Sequence, residues 1–261
     1  LLWIGARTSV NPFTVQEISD ALKGVDVIVL VKNPVNPDIE LWIGAIERIA
    51  KAGIKHLGAI HRGFSTYEKT SYRNQPNWQL PIELRHRIHD LPLICDPSHI
   101  AGSREFLREI SQKALDLNFD GLMIESHINP AKALSDAAQQ VTPDGLRDLL
   151  SKLVIRNPVA SDPKLLDILS ELRQQIDVFD EHLLDLLEKR MKVADTIGQY
   201  KKANNITILQ SVRWEEIINR VMSKTKAKGL SAEFIDTIFK AIHQESINHQ
   251  MRVMNNGEKK E

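Results

Sequence analysis

The sequence predicts two fold classes in succession, an α/β part and then an all-helical part, and three observations predict it. Up to about residue 150, short apolar runs alternate with longer stretches whose apolar residues recur every three or four positions, the rhythm of strands joined by crossover helices. Around residues 154–163 that rhythm stops at Val-Ile-Arg-Asn-Pro-Val-Ala-Ser-Asp-Pro. Beyond it only helical periodicity remains.

The strand-like runs are residues 1–5, 25–31, 56–60, 91–95 and 121–125, and the clearest helical stretches between them are 14–22, 38–52 and 103–117. Five parallel strands are expected. Asp162-Pro163 is a helix-start signal, because Asp caps free backbone N–H groups and Pro suits the first turn. Leu165, Leu169, Leu172, Ile176, Phe179, Leu183 and Leu186 then follow at alternating four and three spacing, continued by Val193, Ile197 and Tyr200. One helix over residues 163–203 would be roughly 60 Å long. Two shorter helices, 211–226 and 231–254, are divided by Gly229-Leu230-Ser231. The organisation is therefore an α/β domain over 1–153, a linker over 154–163, a helical domain over 164–254 and a polar tail over 255–261. Three helices so unequal leave much of the long one's apolar stripe uncovered, which predicts an intertwined homodimer.

Composition excludes several classes. The 34 Lys and Arg balance 34 Asp and Glu, and neither part has the basic excess of a nucleic-acid footprint. The longest uninterrupted apolar run, residues 27–31, is far short of the roughly 20 residues that span a bilayer. A single cysteine and no secretory signal fit a reducing cytoplasm. The chain opens inside a strand-like run without an initiator Met, so a fragment of a longer polypeptide is expected.

Each predicted strand ends in a group capable of chemistry: Arg7, Lys32, Arg62, His99 and Glu125. In a (β/α) barrel that end is the active face. Singly, such residues are ordinary surface charges or loop histidines, and Asp136 in the following loop is an ordinary cap. Together, three cations suit a phosphate or carboxylate, and a His with two carboxylates suits Mn, Fe, Co or Zn better than Mg. Cys95 precedes its strand end in an apolar run and reads as a small buried hydrophobe. His127 fits either substrate contact or support of Glu125, and His61, Arg73 and Arg104 receive no role.

Gly5-Ala6-Arg7, Val31-Lys32, His61-Arg62-Gly63, Asp96-Pro97-Ser98-His99, the run Gly121-Leu122-Met123-Ile124-Glu125-Ser126-His127, Ala133-Leu134-Ser135-Asp136 and Gln139-Gln140 resemble the 3-deoxy-D-arabino-heptulosonate 7-phosphate synthase family. The resemblance implies a partial (β/α)8 TIM barrel comprising its last five strands. It implies phosphoenolpyruvate-binding cations at Arg7, Lys32 and Arg62, an aldose-phosphate contact at Asp96, and divalent-metal ligands at His99, Glu125 and Asp136. The substrates would be phosphoenolpyruvate and erythrose 4-phosphate. The family's Lys-Pro-Arg motif and metal-binding cysteine precede the strand of Gly5, so the synthase is expected to be N-terminally truncated.

In the helical part Arg190 interrupts the apolar seam, and Lys201 lies 11 positions on, about 20° away around the helix and roughly 16 Å along it. Two long cationic side chains so placed either close on one small anion or snorkel at the surface. Arg173 is about 25 Å before Arg190 along the axis, so only an antiparallel partner helix could bring it to the same anion. Ser246 and Gln250 share a face at i, i+4, and Arg213 opens the middle helix.

Leu172-Arg173-Gln174-Gln175-Ile176-Asp177 with Asp180, Leu187-Glu188-Lys189-Arg190, Gly198-Gln199-Tyr200-Lys201, Arg213 and the stretch from Glu245-Ser246 to Gln250 resemble the all-helical chorismate mutases. The resemblance implies a dimer in which Arg173 of the second chain joins Arg190 on the carboxylates of chorismate. Lys201 and Gln250 would bind the ether oxygen, and Arg213, Ser246 and Gln210 would complete the pocket. No cofactor is implied for the mutase. The chain departs from the family pattern at Trp214, where a glutamate often stands. The leading expectation is a bifunctional enzyme of aromatic amino-acid biosynthesis. The alternatives are a helical domain that mainly senses prephenate or chorismate for the synthase, and one that merely dimerises it.

Overall fold

The computed structural model describes residues 1–67 and 70–255; most of the polar tail expected over 255–261 lies outside the described residues. The chain divides into two compact units, Leu1–Val159 and a second beginning at Ala160.

The first unit is a five-stranded parallel sheet in the order β1 to β5. Its elements in chain order are β1 (Leu2–Ile4), α1 (Ala6–Ser9), α2 (Pro12–Ala21), β2 (Ile28–Lys32), α3 (Ile39–Lys51), β3 (His56–His61), α4 (Gln79–Arg87), β4 (Leu93–Cys95), α5 (Pro97–Ala101), α6 (Leu107–Asp116), β5 (Gly121–Leu122) and α7 (Pro143–Ser151). Side chains alternate across a strand. Val29 and Val31, Ala59, and Leu93 and Cys95 thus share the face turned to the helices, where all are buried. Helix α3 is capped by Asp38, whose side chain accepts from the Leu41 N–H. It buries Trp42, Ala45, Ile46 and Ile49, the i, i+3, i+4, i+7 stripe of a helix laid on a sheet. The Trp42 indole N–H donates to the Val31 carbonyl at 3.1 Å, tying α3 to the strand it covers.

The opposite face carries Leu30, Ile60 and Ile94, of which Ile60 pairs with Lys32 and with Ile94 in register. Two residues further along each strand direction come Lys32, Arg62 and Asp96. The period of two therefore delivers these groups to one end of one face. The fifth strand is shorter than expected, ending at Leu122, so Glu125 lies beyond it; its N–H is held instead by the Ser98 hydroxyl oxygen at 3.0 Å.

The second unit consists of α8 (Pro163–Ala203), α9 (Ser211–Thr225) and α10 (Ala232–Asn255). Asp162 caps α8 by accepting from the Lys164 N–H at 3.0 Å. Asn205, at φ 52°, turns the chain out of the long helix, and Gly229, at φ 68°, does so ahead of α10. The C-terminal part of α8 buries Met191, Ala194 and Gly198. A Cβ at Gly198 would lie 3.1 Å from the Gln250 Cα, so a glycine there lets α8 and α10 approach closely. The earlier seam is uncovered: Leu165, Leu172, Ile176, Phe179, Leu183 and Leu186 are 44–67% exposed. No helix among the described residues is long and apolar enough to cross a membrane.

Candidate functional site: two cavities of different charge

In the first unit, Arg7, Lys32, Arg62, Arg73, His99 and Asp136 line one cavity of about 340 Å³ at the C-terminal strand ends. Asp96 lies buried behind two of these, Lys32 and His99. The Lys32 ammonium lies 2.8 Å from Asp96 Oδ2, and the His99 N–H donates to Asp96 Oδ1 at 3.0 Å. Burial alone would raise the Asp96 carboxyl, but the His99 hydrogen bond and the Lys32 charge outweigh it and hold the group below the usual carboxylate range. Asp96 is only 1% exposed, so it meets the cavity through Lys32 and His99.

His99, Glu125 and Asp136 each offer a ligand atom within 4.8 Å of the others. The His99 ring presents Nδ1 to Asp96 at 2.8 Å and turns Nε2 towards Glu125 Oε1 at 3.7 Å. A carboxylate behind one imidazole nitrogen, leaving the other for a metal, is the usual arrangement of a ligating histidine. One imidazole with two carboxylates is a donor set for a divalent transition ion, and the residues present fit such an ion.

Sequence reasoning missed how these groups are held. Gln139, buried in the loop after Glu125, donates to Glu125 Oε2 at 2.9 Å and accepts from Arg73 Nη1 at 3.0 Å. The same Arg73 nitrogen lies 2.8 Å from Asp136 Oδ1, and this hydrogen bond, with the charge behind it, lowers the Asp136 carboxyl despite some burial. Arg104 donates to the Ala137 carbonyl at 2.7 Å, pinning the loop in which Asp136 adopts φ 48°. Gly102, at φ 67°, would place a Cβ 2.5 Å from the Arg73 Cβ, so only glycine lets Arg73 press in. Arg62 is held by Asn33, which accepts from its N–H at 2.7 Å, and by Asn74, which accepts from its guanidinium at 2.8 Å; burial lowers its pKa. His127 accepts from the Asn129 N–H within its own turn. Cys95 is fully buried, and burial pushes its thiol well up. A larger cavity, about 620 Å³ beside Tyr72, Trp78 and α6, mixes Glu105, Glu109 and Asp116 with Arg108 and Lys113.

In the second unit a cavity of about 460 Å³ is lined by Arg190 and Lys201 from α8, Gln210, Arg213, Trp214 and Arg220 from α9 and its lead-in, and His243, Ser246 and Gln250 from α10, among apolar neighbours. Among the described residues of this lining there are four Lys and Arg side chains and no carboxylate. Arg190 donates to the Ser246 hydroxyl, and Lys201 to the Ile208 carbonyl at 2.6 Å. Burial lowers the pKa of both, since no acid is at hand to offset it. Arg213 pairs with Glu216 at 2.8 Å. Arg173 is exposed and absent from this lining.

Fold and sites thus define two domains, one with strand-end cations beside a cluster of one histidine and two carboxylates, the other a helical cavity lined by cations. The family model "DAHP synthetase I family" matches residues 1–155 and "Chorismate mutase type II" matches residues 172–251. The chain belongs to the DAHP synthetase I family and joins to that domain a chorismate mutase domain. It is 29% identical over 153 residues to the phospho-2-dehydro-3-deoxyheptonate aldolase of Thermotoga maritima, covering 59% of this chain and 44% of that protein. The bifunctional chorismate mutase/prephenate dehydratase of Escherichia coli K12 is 29% identical over 83 residues, 32% of this chain and 22% of that protein. A solved truncated form of 3-deoxy-D-arabino-heptulosonate 7-phosphate synthase from T. maritima superposes with a TM-score of 0.50 at 30% identity, covering 58% of this chain and 56% of that one. The chain thus spans less than half the length of the curated relatives it matches.

Proposed function

We propose that the helical unit converts chorismate to prephenate, and the single observation that carries the reading is its cavity of four cations without an acid. The reaction is an intramolecular Claisen rearrangement: one carbon–oxygen bond of the ether breaks, one carbon–carbon bond forms, and no proton, nucleophile or metal is required. Catalysis then consists of holding the dianion in its reactive chair and stabilising negative charge on the departing ether oxygen. Arg190 binds a carboxylate, with the Ser246 hydroxyl holding its guanidinium in place. Lys201 and Gln250 donate to the ether oxygen, and Arg213 and Gln210 complete the enclosure. Arg173 is supplied by a second copy of the chain, a reading supported by the apolar seam exposed along the first half of α8. Chorismate consumption followed in EDTA tests the assignment: turnover should persist undiminished, and its disappearance on chelation would remove the metal-free mechanism.

For the first unit we propose the part of a synthase site that binds phosphoenolpyruvate through Arg7, Lys32 and Arg62 and erythrose 4-phosphate near Asp96. His99, Glu125 and Asp136 would hold a divalent ion of the Mn, Fe, Co or Zn kind. Such an ion, when bound, supplies polarisation of the aldehyde oxygen. The chain's own residues orient the anionic substrate through fixed cations and keep the His99 ring turned by Asp96.

A further inference from the structure

One wall of the helical cavity has no part in the reading above. His243 lies on α10 three residues before Ser246 and seven before Gln250, and all three line the cavity, as that spacing on one helix face requires. The Trp214 indole, from α9, stacks on the His243 ring with centroids 4.1 Å apart and planes 26° apart. A stack of this kind covers one face of the imidazole and sets its plane, leaving the ring edge to meet a ligand. The charged groups lining the cavity around it are Arg190 and Lys201 on α8 and Arg213 and Arg220 on α9; on α10 no other charged residue lines it. The dimer reading adds only one more cation, Arg173.

We propose that His243 is a further substrate-binding residue of this cavity, clamped by Trp214 so that its ring donates a hydrogen bond to a carboxylate of the bound dianion. The inference rests on the reading of the cavity as a dianion site. Without ligand, burial first and the Arg190 charge second push the His243 imidazolium below its ordinary value. At neutral pH the ring is therefore uncharged and adds no repulsion to the surrounding cations. A dianion reverses the sign of the local field and favours protonation. Binding is then linked to proton uptake. The added affinity is present below the bound-state value and lost as pH rises through it. KM should accordingly rise with pH across that window, while kcat, for a step without proton transfer, changes far less.

The test uses the full chain carrying 15N-labelled histidine, titrated with acid by NMR with and without saturating prephenate, with His243→Asn identifying the resonance. The expected result is a His243 titration that moves upward by about one pH unit or more when prephenate is bound. Trp214→Phe should keep that shift and Trp214→Ala lose it. Steady-state kinetics with chorismate should give His243→Asn a KM about three- to tenfold above the parent at about pH 6, without the parent's rise in KM with pH. If prephenate binds by calorimetry yet the His243 titration stays where it was, the inference is overturned and the dianion reading survives. If prephenate does not bind and chorismate is not consumed, both fall. The NMR comparison is made on the unaltered protein and so does not depend on how any variant folds.

Discussion

The two cavities hold their central cations differently. In the α/β unit Lys32 and Arg73 each have an acid beside them, Asp96 and Asp136, Arg62 rests on Asn33 and Asn74, and His99 stands between Asp96 and Glu125. In the helical unit the two central cations rest on neutral oxygens, the Ser246 hydroxyl and the Ile208 carbonyl. An ion pair must be loosened before its cation serves a ligand, whereas a cation on a neutral acceptor gives up less when an anion arrives. The difference teaches what each site is poised to take. Interleaved acids and bases suit a metal ion together with anionic substrates; an acid-free pocket suits a dianion alone, and keeps its catalytic force in preorganised charge.

The largest effect that sharpens this contrast concerns a buried histidine at the end of β3. His61 is fully buried among Trp42, Phe64, Trp78 and Phe119. Burial pushes its pKa down to about 3, with the Pro76 backbone and Asp96 pulling the other way. A histidine lowered on folding contributes stability above its unfolded value, and that contribution is lost as pH falls below it. Unfolding followed by hydrogen exchange in β3 should therefore show the α/β unit losing roughly 3 kcal/mol between about pH 6.5 and 4 on this account. His61→Phe should flatten that slope, and an unchanged slope would place the acid sensitivity elsewhere.

A smaller effect separates ligand from support. Gln139→Leu removes the bridge between Glu125 and Arg73 while leaving all three proposed ligands in the chain. Affinity for Mn or Zn, measured by calorimetry, should fall about 10- to 100-fold, while chorismate turnover by the other unit stays as it was. Parallel loss of both would mean the variant had damaged the whole chain. Smallest is the cap of the long helix. Asp162→Ala should destabilise the helical unit by about 1 kcal/mol in thermal unfolding and leave metal affinity unmoved.

Much of the fold was legible because its periodicities are long and strict. The seam from Leu165 to Tyr200 with its Asp162-Pro163 start predicts a helix over 163–203, and α8 runs Pro163–Ala203. The fifth strand was overestimated, since Met123 and Ile124 continue an apolar run beyond the paired residues Gly121 and Leu122. At the strand ends, position after each apolar run was enough to single out Lys32 and Arg62, whereas Asp96 came only from the family resemblance. Position could not reveal Gln139, Asn33, Asn74 or Arg73, because these act across loops through partners 12 to 66 residues away. Such bonds leave no local pattern. In the helical unit Arg190 stood out as a break in an apolar stripe and Lys201 by its place 11 positions on, but the Trp214 and His243 stack joins two helices and no spacing within either one betrays it.

The most direct test compares chorismate consumption by the parent chain and by Lys201→Ala, both full length and both in EDTA. Loss of the cation proposed for the ether oxygen should lower kcat about 100- to 1,000-fold with a much smaller change in KM. Equal kcat values in the two proteins would contradict the claim that preorganised positive charge in the helical cavity drives the reaction.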